Sequence, residues 1–329
     1  MKIFFLIISI FFIENVLAAP IGQPVEMSKD YKTGDQFMGI RLLGTLNLSS
    51  VAVDGYAAHG LSGIAWDEDD QILYALSDKG YLLHLQPAFK KDQNNRIEIL
   101  KNVDLITSYP LKNKHGKNLS GQKSDSEGLD ILKGNNGIKG DAELIVSFEV
   151  KPRIHRYNPQ GEKSGKYELP EHFNKIDDYQ YKNAALESVI IHPKLGMLTA
   201  PQLALDNTPR HLRSIFDLKG SEWKFKPQHA DDSSVTDLEI SNDGSVLILE
   251  RKYTNIIAPI QSIIREINLT KKGKILPTKT VALFESTKGW QIDNFEGLAH
   301  HKENKYFMIS DDNKNIFQRT LLVYFELLN

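Results

Sequence analysis

Apolar and β-favouring residues run along this chain in short stretches that stop at clusters of Asp, Asn and Gly, the pattern of strands and turns. It is sharpest near the end. Residues 293–299 (Asp-Asn-Phe-Glu-Gly-Leu-Ala), 306–313 and 318–325 predict three successive strands, with Glu296 entering the first and Asp311 and Asp312 leaving the second. Four earlier stretches repeat the arrangement: 61–66, 72–78 and 81–85; 126–130, 143–149 and 153–157; 186–191, 196–200 and 212–216; 235–240, 246–251 and 262–267.

Aligned on Gly63, Gly128, Ser188, Asp237 and Gly297, the unit starts are separated by 65, 60, 49 and 60 residues. Candidate fourth strands lie between them at 96–106, 166–169, 223–225 and 278–284. Recurring four-stranded units of this size predict an all-β chain folded as a β-propeller of five or six blades. A β-sandwich requires no such recurrence. The terminal unit lacks a fourth strand, and the unpartnered strand predicted at 37–48 would supply it and close the ring. Residues 37–329 are thus expected to form one propeller domain, and 20–36, which lack periodicity, a flexible leader.

The first residues follow another rule. Lys2, an apolar run over 3–13 and the small residues at 16–19 predict a secretory signal peptide over 1–19, cleaved after Ala18 or Ala19. The run is too short to span a bilayer, so no membrane span is expected and the mature protein should be periplasmic or extracellular. The chain contains no Cys, which excludes disulfides, thiolate metal sites and a Cys nucleophile. With 40 basic against 42 acidic side chains and a formal charge of -2, it is not expected to bind nucleic acid by neutralising phosphates.

In a propeller the first strand of each blade lines the central channel. Ser62, Glu127, Glu187, Thr236 and Glu296 hold equivalent positions there, so three carboxylates and two hydroxyls are expected around one small volume. Like charges so close either raise their pKa values or recruit a cation. Ca²⁺, which takes six to eight oxygens, suits them. Glu127, Glu187, Glu296 and Asp311 are the expected metal ligands. Arg251 and Arg319 sit inside the repeated motif and are the expected catalytic cations, able to grip an anionic oxygen beside the metal. Acids at strand ends also cap turns, and an Arg beside one also pairs on a solvated rim. His59, His300 and His301 lack zinc-site spacing, and no GxSxG elbow or glycine-rich phosphate loop occurs.

The strings Leu61-Ser62-Gly63-Ile64-Ala65, Leu73-Tyr74-Ala75-Leu76-Ser77-Asp78, Ser126-Glu127-Gly128-Leu129, Leu249-Glu250-Arg251 and 293–299, with Ser310-Asp311-Asp312-Asn313 and Gln318-Arg319-Thr320, together resemble the phytase-like family. The resemblance covers nearly all of 37–327 and implies a propeller that hydrolyses phosphate or related esters. The third unit departs most, with Thr199-Ala200-Pro201-Gln202 where others end in Ser-Asp. The expectation is an exported, Ca²⁺-assisted hydrolase, a monomer acting on a small-molecule phosphoester or related ester. The competing expectation is a non-catalytic binding module whose channel metal is structural.

Overall fold

A computed structural model describes residues 18–92, 96–230, 232–252, 259–270, 272–313, 315 and 318–328. Most of the expected signal peptide lies outside the described residues. Among those described, the strands form five sheets, one for each repeated unit, so the blade count is five.

The first blade runs Leu61–Asp67, Ile72–Ser77, Tyr81–Lys91 and Glu98–Pro110, with Ala19–Pro20 added at its outer edge. The second runs Ser126–Leu132, Glu143–Phe148, Arg153–Tyr157 and Lys163–Tyr167. The third runs Leu186–His192, Gly196–Pro201, Arg213–Asp217 and Glu222–Phe225, with Ile275–Leu276 as a short parallel fifth strand. The fourth runs Ser233–Ile240, Val246–Lys252, Gln261–Ile267 and Thr278–Glu285. In the fifth, Asn294–Lys302, Lys305–Asp311 and Leu321–Leu327 are followed by Ile40–Leu48, which pairs antiparallel with Leu321–Leu327. That blade combines strands from both ends of the described chain.

Each second strand is buried on both faces, which is why it reads as an almost unbroken apolar run. In the first blade, Leu73 and Ala75 face the seam with the fifth blade, while Tyr74 and Leu76 face the seam with the second. In the fifth, Phe307 and Ile309 face the first blade, while Tyr306 and Met308 face the fourth. The core is therefore five separate apolar layers, one in each seam between neighbouring blades.

Residues 20–36 differ from the flexible leader expected. Gly22–Pro24 pairs with Ile40–Leu48, Ile21 is buried in the seam between the fifth and first blades, and Met27 is buried between the fourth and fifth. Tyr31 stacks on Trp290 with ring centroids 5.5 Å apart. Isolated apolar residues spaced to plug two seams leave no periodic trace, so the sequence pattern read as loose.

The first strands pack side by side in chain order, and Asn294–Lys302 packs back against Leu61–Asp67. They approach closely at the aligned glycines. A Cβ on Gly63 would lie 2.6 Å from the Glu127 carbonyl oxygen, and one on Gly128 would lie 2.6 Å from the Ser188 Cα. Since backbone cannot swing aside as a side-chain tip can, Gly128→Ala is expected to cost ~1–3 kcal/mol of stability through overpacking. Denaturant unfolding at equilibrium checks this; an unchanged midpoint would mean that the blades spread apart freely.

A carboxylate-lined channel mouth

In every blade the register between first and second strands slips by one residue at the same place. Leu61 pairs with Ser77 and Gly63 with Leu76, leaving Ser62 without an opposite number. By the same count the extra residue is Glu127 in the second blade, Glu187 in the third, Thr236 in the fourth and Glu296 in the fifth. These are the five positions aligned from sequence, and the structure makes each a β-bulge. A bulge bends its strand and re-aims its side chain, so five equivalent side chains are turned to one end of the channel.

The two hydroxyls hold neighbouring blades together. Ser62 Oγ donates to the Ser126 carbonyl at 2.8 Å, and Thr236 Oγ1 donates to the Phe295 carbonyl at 3.1 Å. The three glutamates meet other acids instead. Glu127 and Glu187 are only 8% and 6% exposed.

A second set of five positions follows from the same registers, one residue beyond the pairing at each bulge: Asp78, Glu149, Gln202, Arg251 and Asp311. Gln202, in the blade that departs from the common motif, donates its amide to Glu187. Arg251 Nη1 reaches across the seam to Glu296 Oε1 at 2.7 Å and also donates to Asn294 Oδ1, while Asn294 Nδ2 donates to the same Glu296 oxygen at 2.5 Å. Arg319, in contrast, is held by Asp293 Oδ2 at 3.0 Å and by the Gln291 carbonyl at 2.9 Å, and so supports the loop leading to Asn294.

The tightest group is Asp125, Glu127 and Glu149, whose carboxylate oxygens lie within 4.8 Å of one another. Only Glu127 of these was expected as a metal ligand. Glu149 was legible as an acid at a strand end, but Asp125 was missed. Its signal was its place two residues before the bulge, where the fifth blade carries Asn294.

Burial and mutual repulsion act in one direction at this mouth. Burial first, and then Glu187, Glu296, Glu149 and Asp125, push the Glu127 pKa well above the usual carboxylate range. Glu187 is raised in the same way by burial and by Glu149 and Glu296, with Arg251 opposing. Burial and Asp125 bring Glu149 up to about 7. Asp311 is brought to about 8 by burial and Glu296. Even Glu296, with Arg251 and Asn294 bound to it, is raised, since burial outweighs its partners. Carboxylates outnumber cations at this mouth, where Arg251, Lys79 and Arg153 oppose Asp78, Asp125, Glu127, Glu149, Glu187, Glu296 and Asp311, and carboxylate oxygens are the setting for a hard divalent cation.

The histidines take other parts. His59 Nδ1 lies 2.5 Å from Asp312 Oδ2, His301 Nδ1 lies 2.7 Å from the Tyr324 hydroxyl inside a seam, and His300 Nε2 is 2.6 Å from the Glu303 carbonyl. Further along the same strands, Asp130, Asp237 and Glu239 each accept the amide of the following residue and one from the next blade: Ile191 at 2.5 Å, Leu298 at 2.7 Å and His300 at 2.7 Å respectively.

Architecture and mouth together define a five-bladed β-propeller that gathers carboxylates at one end of its channel. The chain belongs to the phytase-like family, described by esterase-like activity of phytase, whose sequence profile matches residues 57–314. That span contains the first and second strands of all five blades. No curated protein matches the chain. Among solved structures it is similar to the PQQ-bound aldose sugar dehydrogenase of Streptomyces coelicolor, at 10% identity and TM-score 0.41, covering 86% of this chain and 97% of that one. It is also similar to the β-propeller domain of Myceliophteria thermophila Cps50 (Swd1), at 10% identity and TM-score 0.36, covering 94% and 99%.

Asp130, brought up to about 7, and Glu239, up to about 8, both mainly by burial, carry a pH dependence of stability. A carboxyl whose folded pKa is raised contributes stability that is complete below its unfolded value and is lost as pH rises through the folded one. In the presence of chelator, the melting temperature is therefore expected to fall as pH rises from about 4 to about 8, most steeply between about 5 and 7, and to level off above the folded values. A flat profile in a thermal scan would contradict the buried charge.

Proposed function

We propose that this protein is an exported hydrolase of phosphoesters or related esters, assisted by Ca²⁺ at the carboxylate-lined mouth. The observation that carries the reading is the set of matching bulges, which turn Glu127, Glu187 and Glu296 to one end of the channel beside Asp125 and Glu149. Membership of the phytase-like family supports the ester chemistry.

Asp125, Glu127 and Glu149 would hold the cation, with Glu187, Glu296 and Asp311 completing its surroundings. When bound, Ca²⁺ supplies polarisation of a phosphoryl oxygen and a more acidic water. Arg251 can pivot between Glu296 and an anionic substrate oxygen, offering its fork as charge develops. In the reaction the oxygen of water bonds to phosphorus, the bond to the leaving oxygen breaks, and the proton released from water ends on that leaving oxygen. Without a cation, burial and neighbouring acids bring Glu149 to about 7 and Asp311 to about 8; a bound cation would hold both as carboxylates. Arg319 acts at one remove, by positioning Asp293 next to Asn294.

Hydrolysis of phosphomonoesters by the mature protein is expected to appear with Ca²⁺ and vanish with chelator, and Glu127→Gln is expected to lower it about 100-fold or more. Arg251→Ala should cost more than Arg319→Ala. If Ca²⁺ only raises the melting temperature and no ester turns over, the metal is structural and the propeller is a binding module.

Export rests on the apolar run and small residues before Pro20. The mature chain is expected to begin at Ala19 or Pro20, which mass spectrometry of the secreted protein reads directly; an intact Met1 terminus would remove this part of the reading.

A further inference from the structure

Beside the mouth lies a cavity of about 610 Å³. Val150, Pro152 and Ile176 form an apolar wall, and Gln122, Lys151, Asn174, Lys182 and Asn183 form the polar rest of the lining. It adjoins the tight carboxylate group through the backbone. The Val150 amide donates to Asp125, and the Ala185 amide, two residues beyond Asn183, donates to Glu149. Among the described residues neither Lys151 nor Lys182 has an ion-pair partner. A cleft with one apolar wall and two ammonium groups that lack an acidic partner among the described residues thus opens beside a negatively charged mouth.

Building on the hydrolase reading, we infer that this cleft is the leaving-group subsite and selects phosphate esters with an apolar, aryl-type leaving group over esters of small polyols. The argument is complementarity on two scales. An anionic ester arriving at a mouth of carboxylates is repelled until a cation is bound, and Lys151 and Lys182 on the cleft lining supply attraction beside it. Once the phosphoryl group is at the mouth, the rest of the ester must extend outward. Along the apolar wall it meets Val150, Pro152 and Ile176, side chains that gain by covering an apolar ring and offer no partner to a hydroxylated chain.

The test uses the whole mature protein with Ca²⁺ and two phosphomonoesters, 1-naphthyl phosphate and glycerol 2-phosphate. Binding is followed by calorimetry and turnover by phosphate release. The naphthyl ester is expected to bind about tenfold more tightly, the difference that burying part of a ring supplies. Ile176→Ser should lower the affinity for the naphthyl ester about tenfold, to that of glycerol 2-phosphate. Because Ile176 also packs against the seam between the second and third blades, a second variant, Lys182→Glu on the exposed rim, guards against misfolding; it should weaken both esters, at low salt more than at high salt. Tight, Ile176-dependent binding of the naphthyl ester without turnover would sink the hydrolase reading and keep the subsite. Equal affinity for the two esters, or a preference that survives Ile176→Ser, would overturn the subsite itself.

Discussion

Five first strands must come close enough around one axis to touch backbone to backbone, and the rest of the molecule depends on that. The contact requires residues without side-chain bulk at the point of approach, met by Gly63, Gly128 and Gly297. Opposite Ser188 the contact is met by Gly128, where a Cβ would lie 2.6 Å from the Ser188 Cα. Ser62 and Thr236 then fasten blade to blade through the carbonyls opposite. The bulge beside each contact residue follows from the same crowding, since a strand bent at that point leaves the axis without collision. A packing solution therefore also turns five side chains toward one opening, and the chemistry of the mouth is what evolution can vary at positions whose direction the architecture has already set.

That arrangement places acids where acids are hardest to keep. Burial outweighs every stabilising partner at Glu127, Glu187 and Glu296, and Arg251 relieves only part of the strain. Such a cluster is an unfinished electrostatic site, completed by protons or by a cation. The cores that support it lie elsewhere, in the five seams, so the mouth can hold this unfavourable charge without loosening the apolar layers. Stability and chemistry are divided between different parts of each strand.

Much of this was legible in the sequence, because strand rhythm and recurrence are properties of neighbours along the chain. The five units, the position of their strands and the alignment of Ser62, Glu127, Glu187, Thr236 and Glu296 all follow from local pattern. What escaped depends on distant partners. Ile21 and Met27 show no periodicity because each fills a different seam, and the stretch containing them reads as loose. Asp125 sits one residue before its strand begins, outside the pattern that marks its neighbours, and only the register places it beside Glu127 and Glu149. Arg251 and Arg319 look alike in sequence, each after an acidic strand end. The fold sends one to the carboxylates and the other to a supporting loop.

The fifth blade has a temporal consequence. Arg41 pairs with Glu326, 285 residues further along, and the strand Ile40–Leu48 finds its partner only in Leu321–Leu327. During synthesis four blades can assemble from consecutive stretches while this early strand waits, with one edge and much of two seams uncovered. Pairing over such a separation closes a long loop late, which makes this step slow and leaves an unpaired blade edge exposed to association with its own kind. The chain's vulnerable moment is thus the interval before its last strand arrives, and any helper that shields it would act on the fifth blade's unfilled place.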